Sequence, residues 1–355
     1  MKFSLFYFDG DGSRPGQENY RLLMDSAQFA DKNDLEALWV PERHFHAFGG
    51  LYPNPSIVSA ALAMVTRKVQ LRAGSVVAAL HHPARVAEEW AVVDNLSGGR
   101  AGIAIAAGWT KDEFVFSKEP HGNRRSTMWR SYEQITRLLA GEAVSFEDAD
   151  GNIVEAKTLP RPVQSRIPFW VACQSTETFI EAGRRGLNVL TALLGETTES
   201  LAPKIAAYRK SREKHGHDPA AGTVSMMVHT FLGDDTGKVK SNVSKPFGDY
   251  LRTHYHLLEG LGRSMGVDIT LDNFSDDDLD SLIEFGIEGF MKGRSLIGTP
   301  ESCQSTVDTL AEMGVDEIAC LIDFVQDYDL VMGSLPFLLK LVEANRPPMR
   351  VARAV

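Results

Sequence analysis

Short β-branched runs recur along almost the whole of this chain, each followed by a stretch with helical periodicity, and this alternation most limits how it can fold. Strands are expected at about Lys2–Phe8, Leu38–Val40, Gln70–Ala73, Gly102–Ala106, Phe169–Ala172, Val189–Thr191, Val224–Phe231 and Glu317–Ile322. Between them, Tyr20–Asn33 places Leu22, Leu23, Ala27 and Ala30 on one helical face, and Arg85–Leu96 and Trp129–Leu139 show the same period. Thr299-Pro300-Glu301 supplies an N-cap, a proline at the first helical position and an acidic first turn for a helix reaching about Met313. Repeated βα units need a parallel sheet covered by helices. The pattern predicts a closed TIM-type (β/α)8 barrel, with an open doubly wound sheet as the rival of equal periodicity.

Two stretches break the rhythm. Within 143–162, Asp148-Ala149-Asp150-Gly151-Asn152 is a turn signal between Val144–Phe146 and Ile153–Ala156, so an inserted hairpin is expected. The segment 237–298 is long, helical and then acidic at Asp276-Asp277-Asp278-Leu279-Asp280. It falls between the seventh and eighth strands, where barrel loops act as lids. A single barrel domain over 1–345 follows, with 346–355 as a flexible tail.

Bulk properties narrow the function. A net charge of −10 in 355 residues argues against a nucleic-acid surface. No run approaches the ~20 apolar residues of a membrane span. Cys173, Cys303 and Cys320 are few, odd in number and far apart, which suits core thiols in a reducing cytoplasm.

In a barrel, polar groups just past the strands' carboxyl ends face the catalytic mouth. The second strand ends in Pro41-Glu42-Arg43-His44-Phe45-His46, the densest cluster of functional side chains in the chain. Glu42-Arg43 reads equally well as a plain ion pair. The third strand runs into Gly74-Ser75 and then His81-His82-Pro83. The fifth ends in Gln174-Ser175-Thr176-Glu177-Thr178, whose hydroxyls and free helix N–H groups suit a phosphate, or serve as an ordinary N-cap. Arg124 and Arg125 could add positive charge there or simply lie on the surface. His44-Phe45-His46 with His229 and Asp323 offers a weaker metal-hydrolase alternative. Asp9-Gly10-Asp11-Gly12 lacks both the distal acid of a calcium loop and the continuing glycines of a dinucleotide loop.

Several collinear segments resemble the bacterial luciferase-like monooxygenases, in particular the natural-product-biosynthesis branch of the mupirocin type. They are Trp39–Gly50, Arg72–Val77, Val86–Trp90 through Asp94–Arg100, Gly186–Thr191, Gly298–Cys303 and Gly314–Asp323. The resemblance covers essentially the whole chain. It implies reduced FMN as cosubstrate, activation of O2 at the flavin, and insertion of one oxygen into an organic substrate, such as a polyketide or nonribosomal-peptide intermediate. By resemblance, Gly74-Ser75 falls at a non-proline cis peptide beneath the flavin ring, and Ala106 and Thr191 line the cofactor. Arg125, Ser175, Thr176 and Thr178 match phosphate-binding positions, with Arg124 and Gln174 beside them. His44, within a Glu-x-His-Phe motif and flanked by Glu42 and Arg43, is the expected proton-moving group.

The sequence departs from luciferase itself. Arg43 replaces the first histidine of its pair, Ala106 its reactive cysteine and Ala107 a phosphate-binding arginine, which argues against light emission from an aldehyde. No nicotinamide fingerprint is present, so a separate flavin reductase is the expected partner, with an acyl or peptidyl carrier protein and a homodimer as further expectations. A deazaflavin-dependent oxidoreductase on the same barrel is the alternative.

Overall fold

The computed structural model describes residues 1–13, 15–193, 196–253, 287 and 289–346. Its strands in chain order are β1 (Lys2–Phe6), β2 (Ala37–Val40), β3 (Gln70–Val77), β4 (Ala101–Ala106), β5 (Val144–Glu147), β6 (Ile153–Ala156), β7 (Phe169–Ala172), β8 (Asn188–Ala192), β9 (Val224–Leu232), β10 (Leu296–Gly298) and β11 (Glu317–Leu321). Eight of these pair in parallel in the ring order β1-β2-β3-β4-β7-β8-β9-β11. The ring closes through β11 onto β1, with Cys320 opposite Leu5, and through β8 onto β9, with Leu190 opposite Ser225. The open-sheet alternative is thereby excluded.

The antiparallel hairpin β5–β6 is the expected insertion. Two elements differ from expectation. Strand β3 continues past Ala73 to Val77 through a register shift between Ala73 and Val76, where Gly74–Ser75 forms a cis peptide. Glycine followed by serine reads as a strand end, which is why the sequence stops the strand early. Strand β10, inside the expected 237–298 insertion, returns to pair with the far end of β9 at Thr230–Leu232. Residues 254–286 and 288, which carry most of the expected lid, and 347–355 of the expected tail lie outside the described residues.

The helices are α1 (Arg21–Lys32), α2 (Pro55–Val65), α3 (Pro83–Ser97), α4 (Arg124–Ala140), α5 (Thr176–Arg184), α6 (Thr198–Lys214), α7 (Thr236–Thr253), α8 (Pro300–Glu312) and α9 (Tyr328–Ala344). Helix α8 begins as expected: Thr299 Oγ1 accepts from the Ser302 amide, Ser302 Oγ accepts from the Thr299 amide, and Pro300 occupies the first turn. Where α5 meets α6 the packing requires glycine. A Cβ on Gly183 would lie 2.5 Å from the Tyr208 carbonyl oxygen and 2.8 Å from Ser211 Cβ, and backbone cannot yield as a flexible side chain does. Gly183→Ala is therefore expected to destabilise the protein by about 1–3 kcal/mol, read as a lowered midpoint in urea unfolding.

The barrel interior is not purely apolar. At the amino-terminal end, Arg72 lies between the rings of Trp39 (4.8 Å) and Trp170 (4.3 Å) and pairs with Glu317 at 2.7 Å. Glu317 also accepts from Ser4, Trp39 Nε1 and Ser225. Burial pushes its carboxyl up, but the Arg72 charge and these donors hold it below the ordinary carboxylate value. All three cysteines are buried free thiols. Among the described residues, no helix is long and apolar enough to cross a membrane.

Candidate active site

The carboxyl ends of β2, β3, β4, β7 and β8 are successive around the ring, and the expected site residues map onto them in that order. Glu42, Arg43 and His44 follow β2, Gly74 and Ser75 lie in the last half of β3, and Ala106 ends β4. Gln174 to Thr178 join β7 to α5, and Thr191 lies near the end of β8.

Glu42 organises the β2 end. Its Oε2 accepts from the Val77 amide at 2.8 Å, tying the β2 loop to β3 just beyond the cis peptide. Its Oε1 meets His44 Nε2 at 2.9 Å and His81 Nε2 at 2.5 Å. Burial pushes Glu42 up, but the hydrogen bonds from His44, His81 and Val77 outweigh it and leave the carboxyl below its ordinary value. Burial acts against charge on His81 too, yet the Glu42 carboxylate holds that imidazole above the usual histidine range. The arrangement is a buried carboxylate holding two imidazoles in place and favouring the protonated form of His81.

The Glu42–Arg43 ion pair does not form. Arg43 turns away, its guanidinium over the rings of Phe8 (4.9 Å), Phe48 (4.9 Å) and Trp109 (4.7 Å). The expected metal set does not assemble either. His46 is exposed, and His229 is boxed by Phe247, Tyr250, Phe290 and Phe324, where burial pushes its pKa down to about 3. Asp323 accepts from the amides of Phe8 and Asp9 and from the Tyr52 hydroxyl. Among the described residues, the group with metal-ligand spacing is Glu42, His44 and His81, and these satisfy one another by hydrogen bonding.

At the α5 N-terminus, Ser175 caps the helix by accepting from the Thr178 amide at 3.4 Å, and the two hydroxyls lie 3.2 Å apart. Backbone and hydroxyl donors at the helix start, its own amide first and the Ser175 hydroxyl next, together with the Arg125 and Lys204 charges, hold the exposed Glu177 carboxyl below its ordinary value. Arg124 instead donates to the His121 carbonyl on its own turn at 3.2 Å. Lys204, which donates to the Gln174 carbonyl at 2.8 Å, is the cation that sequence reasoning missed; it reaches this corner from α6. His81, 39 residues from Glu42, stands in the sequence only as part of a polar run. Asp9, set aside in the sequence as part of an incomplete loop motif, is a buried group at this end, where burial and the neighbouring Asp323 push the carboxyl up to about 9.

These residues fit a flavin phosphate ester. Hydroxyls, helix-start amides and the cations Arg125 and Lys204 gather at one end, Lys204 there also pairing with Glu196 at 2.6 Å. On β3, Gly74 is required by the barrel's own packing, since a Cβ there would strike the Phe6 ring at 2.9 Å.

The luciferase-like monooxygenase family model matches residues 1–317. The oxygenase component of the flavin-dependent trigonelline monooxygenase of Acinetobacter baylyi is 24% identical over 346 residues, covering 94% of this chain and 92% of that protein. The 4-hydroxyprotoasukamycin monooxygenase of Streptomyces nodosus subsp. asukaensis is 34% identical over 236 residues, 61% of each chain. Among solved structures, the oxygenating constituent of 3,6-diketocamphane monooxygenase from Pseudomonas putida, in complex with FMN, superposes with a TM-score of 0.77 at 17% identity, covering 96% of this chain and 97% of that one. With its closed barrel and its mouth of polar groups, the chain belongs to the luciferase-like monooxygenase family of flavin-dependent oxidoreductases.

Proposed function

We propose that this enzyme takes reduced FMN from a separate flavin reductase and uses it with O2 to insert one oxygen atom into an organic substrate. Reduced FMN supplies the two electrons that leave one oxygen atom in the product and the other in water. The reading rests on one observation: phosphate-type and ring-type positions occupy successive strands of one mouth, with the Glu42–His44–His81 cluster on the strand beside them.

In this reading Ser175, Thr176 and Thr178 hold the phosphate with Arg125 and Lys204, while Gly74, Ser75, Ala106 and Thr191 border the ring. Glu42 fixes the orientation of both imidazoles, and His44 moves a proton at the reacting centre with His81 behind it. The substrate is a polyketide or nonribosomal-peptide intermediate, free or presented by an acyl or peptidyl carrier protein, in keeping with the Streptomyces relative. The protein pairs as a homodimer through the helices after the first three strands, α1, α2 and α3, in keeping with the exposed apolar side chains Ile57, Met64, Val92 and Leu96 on α2 and α3.

The phosphate corner is tested by anaerobic titration with reduced FMN and reduced riboflavin, which lacks the phosphate. The protein is expected to favour FMN by about tenfold or more, as for charge-assisted hydrogen bonds, and the Ser175→Ala/Thr178→Val variant to lose most of that preference. Equal affinity of the unaltered protein for both flavins would contradict the assignment.

A further inference from the structure

A second set of polar atoms at the mouth is not absorbed by the flavin reading. Arg43 is 5% exposed, yet its Nε has no hydrogen-bond partner and no carboxylate pairs with its guanidinium among the described residues. Glu113, in the turn Asp112–Phe116 after β4, is 2% exposed, and its Oε2 is also without a partner. The Arg43 guanidinium lies over the Trp109 ring at 4.7 Å and its neighbour Phe45 stacks on Phe116, which sets the loop after β2 against the segment that carries Glu113; burial works against the Arg43 charge, and the first group offsetting it is Glu113. Leaving a buried donor or acceptor unpaired is costly, and leaving one of each on two loops packed against one another points to a group that completes both.

The surroundings define that group further. Phe8, Phe48 and Trp109 hold the guanidinium by their ring faces, which fixes its plane without using its N–H groups. Phe45 stacks on Phe116 at 5.3 Å and 18°, and both are more than half exposed, which gives the same loops a flat apolar rim.

We propose that Arg43 and Glu113 together recognise one planar substrate group carrying a carbonyl oxygen beside an N–H or O–H, such as an amide or an enolised ketone. The oxygen accepts from the Arg43 guanidinium and the N–H or O–H donates to the Glu113 carboxylate, while the attached apolar part lies against Trp109, Phe45 and Phe116. This names the substrate class within the monooxygenase reading above and rests on it. A carboxylate substrate is disfavoured, since it offers Glu113 no donor and adds a like charge.

The test uses benzamide, which carries both functions, and benzoate, which only accepts, in calorimetric titration of the intact protein. The unaltered protein is expected to bind benzamide at least about tenfold more tightly than benzoate. In Glu113→Gln the amide side chain can donate, so the preference is expected to reverse towards benzoate. Arg43→Met is expected to lose both probes, and Arg43→Lys to keep a weakened preference for benzamide. A merely structural role for these residues would lower stability without exchanging the preferences. The proposal is overturned if the unaltered protein binds neither probe or shows no preference, or if Glu113→Gln, folded by circular dichroism, keeps the original one. Reduced-FMN affinity measured on the same samples separates the outcomes: retained flavin binding with failed probe discrimination sinks this inference alone, whereas lost flavin binding in the unaltered protein sinks the reading beneath it.

Discussion

Glu42→Gln is expected to lower substrate-dependent O2 consumption by about 10²- to 10³-fold, the range typical of a lost acid–base group or its orienting partner. Glutamine keeps the shape but not the chemistry. One carboxylate now accepts from the Val77 amide and faces two imidazole nitrogens, and an amide has a single acceptor oxygen to share among them. The same change removes the charge that raises the His81 pKa, so the His81 titration followed by NMR is expected to shift down. If activity falls while His81 titrates unchanged, the carboxylate acts in some other way.

The cluster also carries a pH signature. Because the folded His81 pKa lies above its ordinary 6.5, its contribution to stability is complete below that value and is lost as pH rises through the folded pKa. Because the folded Glu42 pKa lies below its ordinary 4.5, its contribution is present above 4.5 and is lost as pH falls through the folded pKa. The two overlap fully between 4.5 and 6.5, and Glu42→Gln is expected to flatten the stability profile on both sides of that window.

Arg72→Met is expected to destabilise the barrel by about 3–5 kcal/mol, because it leaves the Glu317 carboxylate buried without its countercharge. Glu317 is 0% exposed, and Ser4, Trp39 and Ser225 donate to it, so it cannot turn to water. Arg72→Met/Glu317→Leu is expected to recover part of the loss by removing the stranded charge. It cannot recover all of it, since the Ser4 and Ser225 hydroxyls then lose their carboxylate acceptor and Trp39 Nε1 keeps only Ser4 Oγ. Urea unfolding of the single and double variants decides this. A single variant within 1 kcal/mol of the unaltered protein would mean that the pair is structurally neutral, since surface changes typically stay within about 0.5 kcal/mol.

The barrel was legible in the sequence because its parallel strands are buried on both faces. Runs such as Val224–Leu232, buried throughout, read as predominantly apolar strands without an alternating polar face, and the intervening helices keep a clear period. The continuation of β3 was not, because Gly74-Ser75 resembles a terminus in every local respect and only pairing with β4 at Val76 and Val77 shows the strand resuming. At the site, Glu42, His44 and the Ser175–Thr178 turn stood out because each sits in a compact local motif. His81, Lys204 and Glu113 did not. Each reaches its partner from a different element, and what marks them is a distance or an unpaired buried atom that no local pattern encodes.

The central claim is that the carboxyl mouth of this barrel holds reduced FMN. Anaerobic titration with reduced FMN in competition with a reduced deazaflavin, followed by admission of O2, tests it most directly. The account predicts saturable binding of reduced FMN that the deazaflavin does not displace, and consumption of O2 by the bound flavin. Saturable binding of the deazaflavin with none of reduced FMN would contradict it and assign the barrel to hydride transfer instead.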